Sequence, residues 1–185
     1  MFRIGARGKP ESPPPWHIEF IVGLAKVVRP SVYVELGVHE AELFNQVIPY
    51  AGQLIGVDVS PASSSFVKQA PNVRFLCGTT SEFAAELQES PVSIDMLFID
   101  ADHCRESVVR DFRDYFPFVR PHGLILLHDT HPGDASFIDP RLCGDAYLAI
   151  EELQSDDSSY EMMTIPVSPG LTLCRKRTSQ LSWTE

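Results

Sequence analysis

No stretch of about 18 consecutive apolar residues occurs in this chain, so nothing in it reads as a membrane-spanning helix. The C-x-x-C spacing of zinc knuckles and redox pairs is missing too. The four cysteines, Cys77, Cys104, Cys143 and Cys174, stand far apart, and no disulfide framework is expected. Positive charge is in deficit: 15 Lys and Arg face 25 Asp and Glu, a formal net charge of −10. Affinity for a phosphate backbone is built from Lys and Arg, so nucleic acid is not the expected partner. There is no G-x-G-x-x-G turn, which the pyrophosphate of a nicotinamide dinucleotide needs, and this disfavours an NAD-dependent oxidoreductase. The first fifteen residues carry Arg3, Arg7 and Lys9 without an apolar h-region. A secretory leader is therefore not expected, and the chain reads as soluble and cytoplasmic.

What is present is enough for one core. The 185 residues are 44% hydrophobic, which suits a single domain. We expect an N-terminal arm over 1–15, rich in Gly, Pro and basic residues, one domain over 16–177, and a short tail over 178–185. The organising stretch is Ser31 to Ser60. Val32 to Leu36 is a short apolar run suited to a strand buried on both faces. Gly37 lets the backbone turn with no Cβ in the way. Glu40 to Tyr50 carries apolar positions at helical spacing, closed by Pro49 and Gly52. A second strand, Leu54 to Val59, contains Asp58, roughly twenty residues past the turn, where nucleoside-binding folds place the carboxylate for a ribose hydroxyl pair.

The rest of the chain continues the alternation. Trp16 to Val28 is expected as a helix stopped by Arg29 and Pro30. Ser60 and Pro61 open a short helix to about Gln69, and Val73 to Cys77 forms a third strand. Thr79 and Glu82 form a capping box for a helix over Ser81 to Gln88. Strand Ile94 to Ile99, helix Arg105 to Phe116 and strand Leu124 to Leu127 follow. Thr130 to Cys143 is a long connection expected to cover a site. A helix over Gly144 to Gln154 and two strands, Tyr160 to Ile165 and Leu171 to Lys176, joined as a hairpin, complete the pattern. The alternation predicts an α/β, doubly wound sheet.

In such a sheet, ligands bind beyond the carboxyl ends of the strands, where strand order reverses. Glu35, Asp58, Gly78, Asp100 and Asp129 all fall at such ends. Carboxylates gathered there repel one another unless cations or hydroxyl donors satisfy them.

Glu35-Leu36-Gly37, Gly56-Val57-Asp58, the run from Ile94 to His103 and the run from Gly123 to His131 together resemble class I S-adenosylmethionine-dependent methyltransferases. The likeness is to the metal-dependent small-molecule O-methyltransferase branch that includes catechol, caffeoyl-CoA and macrolide-sugar enzymes. It implies a Rossmann-like sheet of seven strands, mostly parallel with an antiparallel last strand. It further implies S-adenosylmethionine as cofactor, with Glu35 and Gly37 facing its methionine portion, Asp58 and the adjoining Val59 at the ribose, Gly78 and Thr79 bordering adenosine, and Asp100 nearby. Asp100, Asp129 and Thr130 would hold a divalent metal, Mg²⁺ or Mn²⁺, with Thr130 standing where related enzymes often have Asn. His103 matches the base of the macrolide-sugar branch, and an imidazole with a pKa of about 6.5 suits proton removal from a hydroxyl. The implied partner is a small-molecule or sugar acceptor held in part by the 130–143 loop, and a homodimer is compatible with that pocket. The competing reading is a module that binds S-adenosylmethionine without catalysis.

Overall fold

The strands grow from the apolar runs named above, and their order brings Glu35, Asp58, Asp100 and Asp129 to the carboxyl ends of neighbouring strands in a single sheet. The computed structural model describes residues 15–154 and 159–177. The tail over 178–185 and all of the arm except Pro15 lie outside the described residues. Seven strands, β1 (Val32–Leu36), β2 (Gln53–Asp58), β3 (Val73–Cys77), β4 (Ile94–Ile99), β5 (Val119–His128), β6 (Tyr160–Ile165) and β7 (Leu171–Lys176), pair in the order β3-β2-β1-β4-β5-β7-β6. The first five are mutually parallel; β7 runs antiparallel to both β5 and β6. This is the doubly wound, Rossmann-like sheet expected, and its order reverses between β1 and β4.

Helices cover both faces. Helices α1 (Trp16–Val28) and α2 (Glu42–Val47) pack on one side with Tyr33, Leu54, Met96 and Leu126. Helices α3 (Thr80–Glu89), α4 (Arg105–Tyr115) and α5 (Ala146–Gln154) pack on the other with Val34, Leu36, Ile55 and Leu97. Side chains alternate along a strand, so Tyr33 and Glu35 share the α1/α2 face while Val34 and Leu36 fill the opposite core. Among the described residues, no helix is long and apolar enough to cross a membrane.

Several boundaries differ from the sequence expectation, each for a local reason. The helix expected from Glu40 begins at Glu42, because His39 and Ala41 adopt left-handed backbone (φ 47 and 57). It ends early, passing into a 3₁₀ turn over Ile48–Tyr50 with Pro49 in its first turn. The helix expected after Ser60 is only a 3₁₀ turn, Pro61–Ser65, and the Ser60 side chain makes no capping bond. Strand β2 stops at Asp58, one residue short. Strand β5 starts at Val119 rather than Leu124, with a register irregularity against β4. Helix α5 starts at Ala146, since Gly144 takes a left-handed φ of 53. The capping box is formed as expected: the Thr79 hydroxyl accepts from the Glu82 N–H, and Glu82 accepts from the Thr79 N–H at 2.7 Å.

Candidate active site

Gly37 is where the two halves of the sheet meet. Its φ is 87, and a Cβ there would run into the backbone carbonyl of Asp100. The Gly37 N–H donates to the Val57 carbonyl, and the Asp100 N–H donates to the Leu36 carbonyl at 2.8 Å. The turns after β1, β2 and β4 are thus laced together by backbone. Asp58 tightens the lacing: one carboxylate oxygen accepts from the N–H groups of Val38 (3.0 Å) and His39 (2.7 Å), and the other from Ser60 N–H (2.8 Å).

Two cavities open on this rim. One, of about 350 Å³, is lined by Gly37, Asp58, Val59, Gly78, Thr79 and Ala101 among others. The larger, about 540 Å³, runs from Gly37, His39 and Asp58 past Asp100, His103, His128 and Asp129 to the 130–143 loop. Both sizes are within or near the range of small-molecule sites. The expected cofactor residues Gly37, Asp58, Val59, Gly78 and Thr79 therefore converge on one cavity. The Thr79 hydroxyl is already engaged with Glu82 in both directions, accepting from its N–H and donating to its carboxylate.

Glu35 stands slightly apart. It lines a smaller cleft with His17, Gly37, His39 and Asp100, and that cleft joins the large cavity through the last three residues. Its carboxyl is buried and accepts a 2.6 Å hydrogen bond from the Tyr33 hydroxyl. Burial pushes its pKa up to about 8, against the lowering effect of that bond. An ammonium brought beside this carboxyl would favour its ionised form.

Asp100, His103 and Asp129 form the second constellation. One ligand atom from each lies within 4.8 Å of the other two. The His103 Nε2 is 3.3 Å from Asp129 and 3.7 Å from Asp100. His128 adds a second imidazole, its Nδ1 3.0 Å from Asp100 and 3.4 Å from Asp129. Burial opposes ionisation of Asp100, but His128 and His103 outweigh it and hold the carboxyl far below the usual range. Burial likewise opposes charge on His128, yet Asp100 and Asp129 push it up to about 10. The hydrogen bond to Asp100 raises His103 as well. Two carboxylates and a neighbouring imidazole are a donor set that fits a divalent cation.

Thr130, expected as a metal ligand, has another partner: its hydroxyl accepts from Thr172 on β7 at 2.9 Å. Antiparallel β7 lies beside β5 and offers this competing partner.

Sequence reasoning left His17 without a role. It lies on the inward stripe of α1, one turn before buried Ile21, and its ring centroid is 4.1 Å from that of His128. Burial and then the His128 charge lower its pKa to about 4. The His17 Nδ1 and the His128 Nε2 are buried without hydrogen-bond partners among the described residues. The helical spacing from His17 to Ile21 is the signal that finds this residue. Phe137, Arg141, Leu142 and Cys143 close the far end of the large cavity, facing Pro169 of the β6–β7 hairpin.

Comparison with known proteins agrees with this fold. The methyltransferase domain family model matches residues 32–130. The fold is similar to that of the O-methyltransferase from Bacillus cereus in complex with S-adenosylhomocysteine, at 13% identity and a TM-score of 0.75 over 91% of this chain and 84% of that one. It is similar also to TomG from Streptomyces achromogenes, an O-methyltransferase of tomaymycin synthesis in complex with S-adenosylmethionine (15% identity, TM-score 0.75, 89% and 81% covered). The Podospora anserina methyltransferase PaMTH1, bound to S-adenosylhomocysteine, gives 14% identity and a TM-score of 0.72 over 89% and 80%. No curated protein sequence matches the chain.

Proposed function

This chain belongs to the methyltransferase domain family, and we propose that it transfers the methyl group of S-adenosylmethionine to a hydroxyl of a small acceptor, with a divalent metal and His103 assisting. The observation that carries this reading is the continuity of the large cavity. It joins Gly37 and Asp58 at one end to Asp100, His103 and Asp129 in the middle.

Asp58 takes the ribose hydroxyls, with Val59 beside it, and Gly78 and Thr79 border the adenosine. Glu35 and Gly37 face the methionine portion, and Asp100 bridges donor and acceptor. The acceptor oxygen attacks the methyl carbon in line with the breaking carbon–sulfur bond, whose electron pair stays on sulfur to give the neutral thioether. The hydroxyl proton passes to His103 Nε2. Holding oxygen, carbon and sulfur in line supplies a large part of the rate gain.

Asp100 and Asp129 would hold Mg²⁺ or Mn²⁺. When bound, the cation supplies charge that offsets the two carboxylates and acidifies the acceptor hydroxyl. His103 needs that offset, because the carboxylates beside it favour its protonated form and a base must begin neutral.

Calorimetric titration with S-adenosylhomocysteine, with and without Mg²⁺ or Mn²⁺, tests the proposal, followed by turnover against a panel of hydroxylated acceptors. We expect saturable binding of the thioether, together with metal-stimulated methylation of at least one acceptor. Absence of any heat with the thioether removes the donor and with it the reaction.

A further inference from the structure

The large cavity is polarised along its length. Its middle pairs Asp100 and Asp129 with His103 and His128, whereas the part formed by the 130–143 loop is walled by Phe137, Leu142 and Pro169. Arg141 stands there and is the only Arg or Lys among the described residues lining the cavity.

The Arg141 guanidinium is paired with Asp139, two residues before it. Its Nε donates to one oxygen of Asp139 at 2.9 Å and its Nη2 to the other at 2.7 Å, while its own N–H donates to the same carboxylate at 2.9 Å. The turn beneath is pinned by Leu142 N–H to the Asp139 carbonyl and by Cys143 N–H to the Phe137 carbonyl. Asp139 thus occupies one edge of the planar fork. The remaining guanidinium N–H groups have no protein acceptor among the described residues, and the side chain is 88% exposed. A guanidinium with a free edge suits an oxyanion.

We infer that the acceptor carries an oxyanion, read by Arg141, on the end of an apolar body opposite its reacting hydroxyl. This rests on the methyl-transfer reading for the identity of the hydroxyl, and on the cavity alone for the anion. Arg141 on the loop side holds the anion, which leaves the hydroxyl at the other end of the acceptor directed towards His103. Phe137 and Leu142 accommodate the body between the two ends.

The test compares dihydroxybenzoate with its uncharged methyl ester by calorimetry, using the full-length protein saturated with S-adenosylhomocysteine and Mg²⁺. The acid is expected to bind about tenfold more tightly, as one charge-assisted contact at a partly exposed site provides. Arg141→Gln removes the difference between acid and ester, and Arg141→Lys retains part of it. Dihydroxybenzyl phosphate, set against dihydroxybenzyl alcohol, distinguishes phosphate from carboxylate as the preferred oxyanion. An ester that binds as well as the acid, an advantage of the acid that survives Arg141→Gln, or failure of every compound to bind overturns the inference. Preferential binding of the acid with no methyl transfer would support the anion site while removing the proposed reaction.

Discussion

The two ends of the large cavity are built by different means. At the donor end, β1, β2 and β3 finish in turns whose polar groups are satisfied locally. Asp58 is bonded to three backbone N–H groups, and Thr79 and Glu82 cap one another. At the acceptor end the charges satisfy each other across distant elements, Asp100 and His103 after β4 and His128 and Asp129 at the end of β5, with the neutral His17 ring of α1 against His128. The donor end is a backbone cradle that exists before a ligand arrives. The acceptor end is a set of opposed side-chain charges whose balance changes with what occupies it. The first arrangement favours rigid binding, and the second can tune chemistry.

The sharpest way to separate the ends is to remove the proposed base. His103→Ala should lower kcat by about 10²- to 10⁴-fold, the usual contribution of a positioned base. Titration with S-adenosylhomocysteine should meanwhile show nearly unchanged affinity. Turnover that survives at saturating acceptor would cancel the assignment.

The complementary change is Asp58→Ala, expected to weaken S-adenosylhomocysteine by about 10- to 100-fold through loss of charge-assisted bonds to the ribose. Turnover at saturating donor should fall far less. A loss confined to kcat would mean that Asp58 serves only to hold the turn after β1.

An effect on pH dependence tests Glu35, which belongs to the donor end but behaves like the charges of the other. Its pKa is raised from 4.5 to about 8 by burial, so the folded state holds its proton longer than the unfolded chain does. Stability must therefore fall as pH rises from about 4.5 to 8, by at most about 5 kcal/mol. Urea unfolding of Glu35→Gln should lack that fall. If the ammonium of the cofactor lies beside this carboxyl, binding at pH 6 to 7 should release up to about one proton. Titrations in buffers of different ionisation heat should show that release in the wild type and not in the variant.

The smallest effect decides the third metal ligand. Thr130→Val should cost about 1 kcal/mol of stability, the worth of its bond to Thr172, and leave Mn²⁺ affinity unchanged. Loss of Mn²⁺ binding would restore Thr130 to the metal site.

The contrast also explains what could be read from sequence. Short-range chemistry was legible: the apolar run of β1, the turn at Gly37, the spacing to Asp58 and the Thr79 capping box each depend on residues close together in the chain. Asp100 and Asp129 were legible because both end buried strands that the alternation predicts as neighbours. The hydroxyl that engages Thr130 was not legible because it lies 42 residues away, on a strand whose register no local pattern gives. His17 and Arg141 reach the cavity only through the docking of α1 and the path of the 130–143 loop. Those are tertiary outcomes, and their signals in the sequence are a stripe position and a lone Arg.

The tip of the β6–β7 hairpin ties these remote pieces together. The Ser168 carbonyl accepts from the Trp16 indole of α1, and the Pro169 carbonyl accepts from the His131 N–H at the start of the long loop. One tip thus anchors both the helix that carries His17 and the segment that carries Arg141. Laboratory evolution for new acceptors should therefore find productive changes at residues 166–170, where altering a single bend re-aims both walls of the entrance at once and leaves the donor machinery as it was.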